Sequence, residues 1–182
     1  MNMHQQDGTA PDADDADPND EPVQCSSPPC FAGEVDPGYF MAEPAIPPDE
    51  LLALLNQLLA AERAGAKTIG HFLRGLDAGP VRQALQHTGR DEGRYTAMLR
   101  QQIERLGGAP TAETGAFFNK AIAIEGLAER LAFLNRGQGW VARELTKVLP
   151  RVRDPELNAA LTEMRDTHIV NIRTCTEAAE AM

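Results

Sequence analysis

The chain has 182 residues, a formal net charge of -10 and only 5% aromatic residues. That length fits one domain around one core and is short for two. Sparse aromatics beside abundant Ala, Leu, Glu and Arg after residue 50 are the composition of packed helices and exclude a sheet protein as the first expectation.

Residues 1–24 are rich in Asp, Pro, Gly and Asn and have almost nothing to bury, so burial cannot offset the entropy of ordering them. They are expected to form a disordered acidic tail. Ten of the 27 acids precede Asp49 and the first basic residue is Arg63, which leaves 17 acids against 17 Lys and Arg in the remainder. A neutral body with an acidic front offers no clustered cations to a phosphate backbone, which argues against nucleic acid as a partner. Residues 25–48 carry Phe31, Val35, Tyr39, Phe40 and Met41 among prolines and are expected to wrap the domain as an extended strap. Cys25, Cys30 and Cys175 form no metal-type pair and read as free thiols. Cys25 and Cys30, with Glu34 and Asp36, are only a weak candidate for extra ligands.

From residue 49 to 182 the pattern predicts four helices. Pro47, Pro48, Asp49 and Glu50 start the first, which runs to the turn between Gly75 and Pro80 with Leu51, Leu55, Leu58, Glu62, Ala66, Ile69 and Leu73 inward. Pro80 opens the second, which carries Val81, Leu85, Thr88, Glu92, Tyr95, Leu99 and Leu106 inward and stops at Gly107 and Gly108. A linker of about ten residues, long enough at about 3.3 Å per residue to run most of a bundle's length, allows a long crossover. The third helix is expected over Phe117 to Leu149, with Leu127, Leu131, Leu134, Gln138, Val141 and Leu145 in register. The last follows Pro155 with Leu157, Leu161, Met164, His168, Asn171 and Cys175. No run reaches about eighteen apolar residues, and the start of the chain lacks a basic flank before an apolar stretch. Neither a membrane span nor a secretory signal is therefore expected, and the reading is cytoplasmic.

Each stripe is interrupted near its middle by Glu62, by Glu92 with Tyr95, by Gln138, or by His168 with Asn171. Counted along the helices at about 1.5 Å per residue, Glu62 and Glu92 differ by about 1.5 Å in height, and Gln138 and His168 by about 4.5 Å. Two carboxylates facing each other in an apolar interior must be neutralised by a metal ion, a proton or a buried arginine. Carboxylate and imidazole ligands projecting from facing helices suit one divalent cation such as iron, manganese or zinc. Each residue alone has an ordinary reading, a glutamate turned to solvent or a histidine hydrogen-bonded in a core. The alignment of the set is what favours metal. Arg165 is the alternative neutraliser, which would make the chain a metal-free structural or interaction bundle. A third reading, an enzyme using the Glu and His pair as acid and base on a small organic molecule, finds no pocket signature in the sequence. His71 and His87 fall out of register with the layer and read as solvated, His87 pairing with Asp91 at i, i+4. Trp140 between Gly139 and Val141, near Gly137, reads as a close helix contact.

The segment RDEGRYTAMLRQQIERLGG, residues 90–108, resembles the second bundle helix of ferritin-like proteins such as rubrerythrins and bacterioferritins. Ala61-Glu62-Arg63, the Thr114–Phe118 segment and the Leu131–Val141 segment extend the likeness, so that residues 25–182 resemble an uncharacterised bacterial ferritin-like family. The resemblance implies an all-α, ferritin-like four-helix bundle and a metal-handling or redox role more weakly than the fold. Glu62 and Glu92 match the first- and second-helix glutamates of the di-iron pattern, and His168 matches a last-helix histidine. Tyr95 stands where Glu-x-x-His places its histidine, Arg165 where a bridging glutamate belongs, and Gln138 where a third-helix glutamate belongs, while Glu163 and Asp166 lie on neighbouring faces. Glu62, Glu92 and His168 are thus enough for one metal and poor for two, with Tyr95, Gln138, Arg165, Asp166 and Asn171 as supporting or additional ligands. A homodimer is allowed; no other partner is indicated.

Overall fold

The computed structural model describes residues 43–182, which are helical with no strand among them. The tail of residues 1–24, and Cys25, Cys30, Glu34 and Asp36 with most of the strap, lie outside the described residues. What is described of the strap is its end. Ile46 is buried and donates its backbone N–H to Arg151 O at 3.0 Å, while the Arg151 and Arg153 side chains reach back to Pro44 O and Glu43 O.

Four long helices share one interior: α1 (Pro48–Phe72), α2 (Pro80–Arg105), α4 (Leu127–Val148) and α5 (Pro155–Glu180), with a short α3 (Phe117–Ile122) and a 3-10 turn (Leu149–Arg151). Pro stands in the first turn of α1, α2 and α5, where its missing N–H costs nothing. Asp154 caps α5 by accepting from Leu157 N at 3.0 Å and is held by Arg105 at 2.6 Å. Gly107, at φ +78°, ends α2 in a backbone conformation that side chains disfavour.

The expected third helix is divided. Gly126 takes extended dihedrals as the N-cap of α4, and the Arg130 side chain holds Ile124 O at 2.6 Å, so the run from Phe117 breaks before Leu127. A second correction concerns register: Ala64, Gly65 and Thr68, not Ala66, are the buried residues of α1 between Glu62 and Ile69.

The linker after α2 runs along α1 from its beginning towards its end. Asn56 donates to Ala109 O and accepts from Thr111 N at 2.7 Å, Arg63 reaches Thr111 O, and the Lys67 ammonium lies 4.1 Å from the Phe118 ring centroid. His71 meets the same Phe118 edge-on and is half-buried, not solvated as expected. Because the linker crosses the length of α1, α4 starts near Phe72 and its following turn ends near Glu50, where Arg151 pairs at 2.7 Å. α4 therefore runs antiparallel to α1 and parallel to α2: the long crossover is present.

The apolar interior falls into two clusters. Leu55, Leu58, Leu99, Ile103, Leu145 and Leu161 fill one end, and Ile69, Phe72, Leu85, Leu131, Leu134 and Cys175 the other. Between them lie the buried polar residues Glu62, Glu92, Gln138 and His168.

Candidate metal centre

One side chain from each long helix builds this layer. Glu62 comes from α1, Glu92 from α2, Gln138 from α4 and His168 from α5, and none is more than 4% exposed. Buried neighbours one turn before and after each of them, Leu58 and Gly65, Thr88 and Tyr95, Leu134 and Val141, Met164 and Asn171, commit these positions to the interior, so the polar groups must find partners there.

His168 Nδ1 lies 2.8 Å from Met164 O, one turn back on the same helix. A carbonyl only accepts, so Nδ1 carries the proton of the neutral ring and Nε2 presents a lone pair. That lone pair points at Glu62 Oε1, 3.1 Å away. Two acceptors cannot face each other at that separation in a dry interior without a proton or a cation between them. Burial supplies the proton: desolvation raises the Glu62 carboxyl from 4.5 to about 8, while burial also lowers the His168 imidazole. At neutral pH Glu62 is the acid and donates to His168. Burial likewise raises the Glu92 carboxyl well above the carboxylate range, and the neighbouring Glu62 adds to that. The metal-free layer is therefore neutral and holds protons on its carboxyls.

Space for the Glu92 carboxylate comes from α1. A Cβ on Gly65 would stand 2.5 Å from Glu92 Oε2, so only glycine leaves room for the acid to lie across the helix. The Gln138 amide donates to Glu92 Oε1. Glu62 Oε2 and Gln138 Oε1 are buried without a hydrogen-bond partner. One donor atom each from Glu62, Glu92 and His168 lies within 4.8 Å of the others, so this buried group can hold a metal ion. The fit is chemical as well as spatial. Two carboxylates balance a divalent charge, the ring is held by its Met164 bond with Nε2 facing inward as a metal-bound histidine requires, and Glu62 Oε2 is free to ligate.

The supporting residues expected from the sequence separate into two groups. Gln138 belongs to the layer. Tyr95 touches it only through its ring, 5.8 Å between centroids from His168, because its hydroxyl reaches outward to Thr167 Oγ1 at 2.7 Å and accepts from Arg94. Arg165 does not neutralise the carboxylates: its guanidinium pairs with the exposed Asp166 at 2.8 Å, on the face of α5 away from the interior. Asp166 is thereby removed from the ligand set too. Asn171 is buried but donates to Asp91 at 3.1 Å, in the outer network where His87 and Arg94 also meet that acid.

Sequence reasoning missed a cavity of about 300 Å³ whose floor includes Glu62, Glu92 and Gln138. Ala60, Ala61, Ala64 and Gly65 make its α1 wall, Trp140 and Val141 its α4 wall, and the linker from Thr114 to Phe117 its rim. Trp140 and Gly137 line this cavity, and Gly137 also makes the close helix contact expected there: a Cβ on it would stand 2.8 Å from the Phe117 ring of α3. The readable signal was the cluster of small residues on α1 one turn from Glu62, which leaves volume instead of filling it.

Residues 49–177 match the family described as domain of unknown function DUF6306. The chain belongs to that family. The matched span begins at the second residue of α1, ends within the last turn of α5 and contains the whole polar layer. Comparison with curated proteins and with solved structures found no match.

Proposed function

We propose that this member of the DUF6306 family is a metal-binding protein of ferritin-like architecture with one divalent ion at Glu62, Glu92 and His168. The observation that carries the reading is the meeting of these three donors, from three helices, in a fully buried layer that contains no arginine or lysine. The connectivity agrees with it: one long crossover between two antiparallel pairs is the ferritin-like form of a four-helix bundle, whose cores carry inward-facing carboxylate and histidine ligands. Two oxygen ligands and one imidazole suit iron, manganese or zinc. Three protein ligands leave a coordination position open, and a bound ion there supplies Lewis acidity or, for iron or manganese, electron transfer. A redox or metal-handling role follows from that set, whereas paired-metal oxygen chemistry lacks its second set of bridging carboxylates.

What the chain's own residues do follows from the geometry. Met164 O orients the His168 ring, Gly65 seats the Glu92 carboxylate, and the Gln138 amide steers one of its oxygens. Binding a divalent ion displaces the protons held on the two carboxyls. The test is elemental analysis of the full chain purified from iron-, manganese- and zinc-supplemented cultures, beside Glu62→Ala. Near-stoichiometric metal in the parent and none in the variant is expected. Metal-free parent protein from all three media overturns the reading in favour of a bundle whose carboxyls stay neutralised by protons.

A further inference from the structure

Beyond metal binding, we infer that the cavity between α1, α4 and the crossover linker is a binding site for a small, neutral, mostly apolar molecule carrying one hydroxyl group, which pairs with the Gln138 amide. Three observations carry this. Size is the first. An apolar protein cavity of about 150 Å³ accommodates benzene, and this one holds about 300 Å³. A molecule of up to about twelve non-hydrogen atoms fits, at the lower limit of natural ligand pockets.

Chemistry along the walls is the second. Alanines and Gly65 on one side and Val141, Leu134 and the Trp140 ring on the other offer mainly dispersion contacts, with Gln57, Thr114 and the Trp140 indole N–H as the polar groups of the walls, so the body of the ligand is mostly apolar. No Lys or Arg lines the cavity. An anionic head would therefore lie beside two acidic residues with no cation to meet it, which excludes a carboxylate or phosphate ligand on the protein's own groups.

The third is the polar end. Gln138 lines the cavity, is 4% exposed, and its Oε1 has no partner, although its Nε2 is committed to Glu92. A buried amide oxygen without a partner loses free energy that a donor would restore. That oxygen has almost no accessible surface in the empty cavity, so pairing needs a small turn of the amide; a hydroxyl, which donates and accepts, then satisfies whichever edge is presented. Pairing to Gln138 leaves Glu62 Oε2 to a metal, so the inference stands with or without one.

The experiment uses the full chain, once stripped of metal with chelator and once incubated with Zn²⁺, and titrates it with 2-naphthol, naphthalene, 2-naphthoate and 2-naphthylmethylammonium by fluorescence and calorimetry. One-to-one naphthol binding at micromolar concentration is expected, with each of the other three at least tenfold weaker. Ala61→Leu and Ala60→Leu, which fill the cavity from α1, should each weaken naphthol at least tenfold while leaving helical circular dichroism and metal content at parent values. Gln138→Leu should level naphthol and naphthalene. Naphthalene binding as tightly as naphthol to the parent chain overturns the role of the hydroxyl without any variant. Absence of naphthol binding, or binding indifferent to both cavity-filling variants, overturns the site. Naphthol binding by a chain that takes up no metal supports this site while removing the metal reading, and metal uptake without naphthol binding does the reverse.

Discussion

Asp91 and Glu92 are neighbours in sequence, each meets a histidine-bearing cluster, and they have opposite surroundings. Asp91 faces outward among His87 at 3.1 Å, Arg94 at 3.6 Å and the Asn171 amide at 3.1 Å. Glu92 faces inward to Glu62, His168 and Gln138, with no arginine or lysine among its interactions. A rotation of one residue on the helix, about 100°, separates a carboxylate balanced by its neighbours and by water from one that only a proton or a metal can balance. The difference teaches that residue type and spacing alone do not make a candidate metal site; dehydration with no arginine alongside does. Arg94, about 200° round the helix from Glu92, pairs with Glu163 at 2.7 Å and covers the Tyr95 ring.

The sharpest way to break this contrast is to remove one acid from each cluster. Glu62→Ala, Glu92→Ala or His168→Ala should abolish metal retention as read by elemental analysis after desalting, whereas Asp91→Ala should keep parent stoichiometry. Loss of metal in the Asp91 variant would mean that the outer cluster, not the inner one, is the site.

Next in size is the pH dependence of the metal-free protein. Between pH 4.5 and about 8 the folded chain keeps a proton on Glu62 that the unfolded chain has released. The native state therefore binds more protons in that window, and stability falls as pH rises through it, by on the order of 4 kcal/mol for this group. Chemical denaturation in chelator at pH 5 and pH 8 measures the fall. Glu62→Gln keeps an N–H donor towards His168 and cannot ionise, so it should flatten much of the slope and be more stable than the parent at pH 8 while losing the metal. A metal-free parent equally stable at both pH values would show that Glu62 is not held neutral.

Metal reverses this sign. Because binding displaces protons from both carboxyls, affinity should rise with pH up to about 8, and calorimetry in buffers of different ionisation enthalpy should count about two protons released per ion near pH 7. A count of zero would place the ion outside the buried pair.

Much of this was legible from periodicity. The inward faces of α2, α4 and α5 follow their stripes almost residue for residue, and the heights of Glu62 and Glu92 could be set against each other because a short hairpin fixes their offset. Three-residue and four-residue steps report which way a side chain starts, not where a long one ends. Arg165 begins one turn before His168 and still turns out to Asp166, and the Tyr95 ring is buried while its hydroxyl leaves the layer. The break at Gly126 was visible as a residue but not as a boundary, since a single glycine inside a helical pattern costs only about 1 kcal/mol and its neighbours decide the outcome. The cavity was least legible, because it consists of side chains that stop short on α1 and of a linker whose path depends on Asn56 and Arg63.

Tyr95→Phe tests the boundary between the two clusters at the smallest cost. The phenol hydroxyl bonds Thr167 and Arg94, on the outer side, while the ring packs against His168 on the inner side. Removing the hydroxyl leaves the ring contact intact and deletes hydrogen bonds that are partly solvated, so unfolding free energy should drop by about 1 kcal/mol. Metal content and its pH dependence should stay at parent values. A variant that folds but loses its metal would place the phenol oxygen among the ligands and move the dry boundary outward past Tyr95. Unchanged metal would fix that boundary at the ring, with the carboxyl pair and the imidazole inside it and every arginine outside.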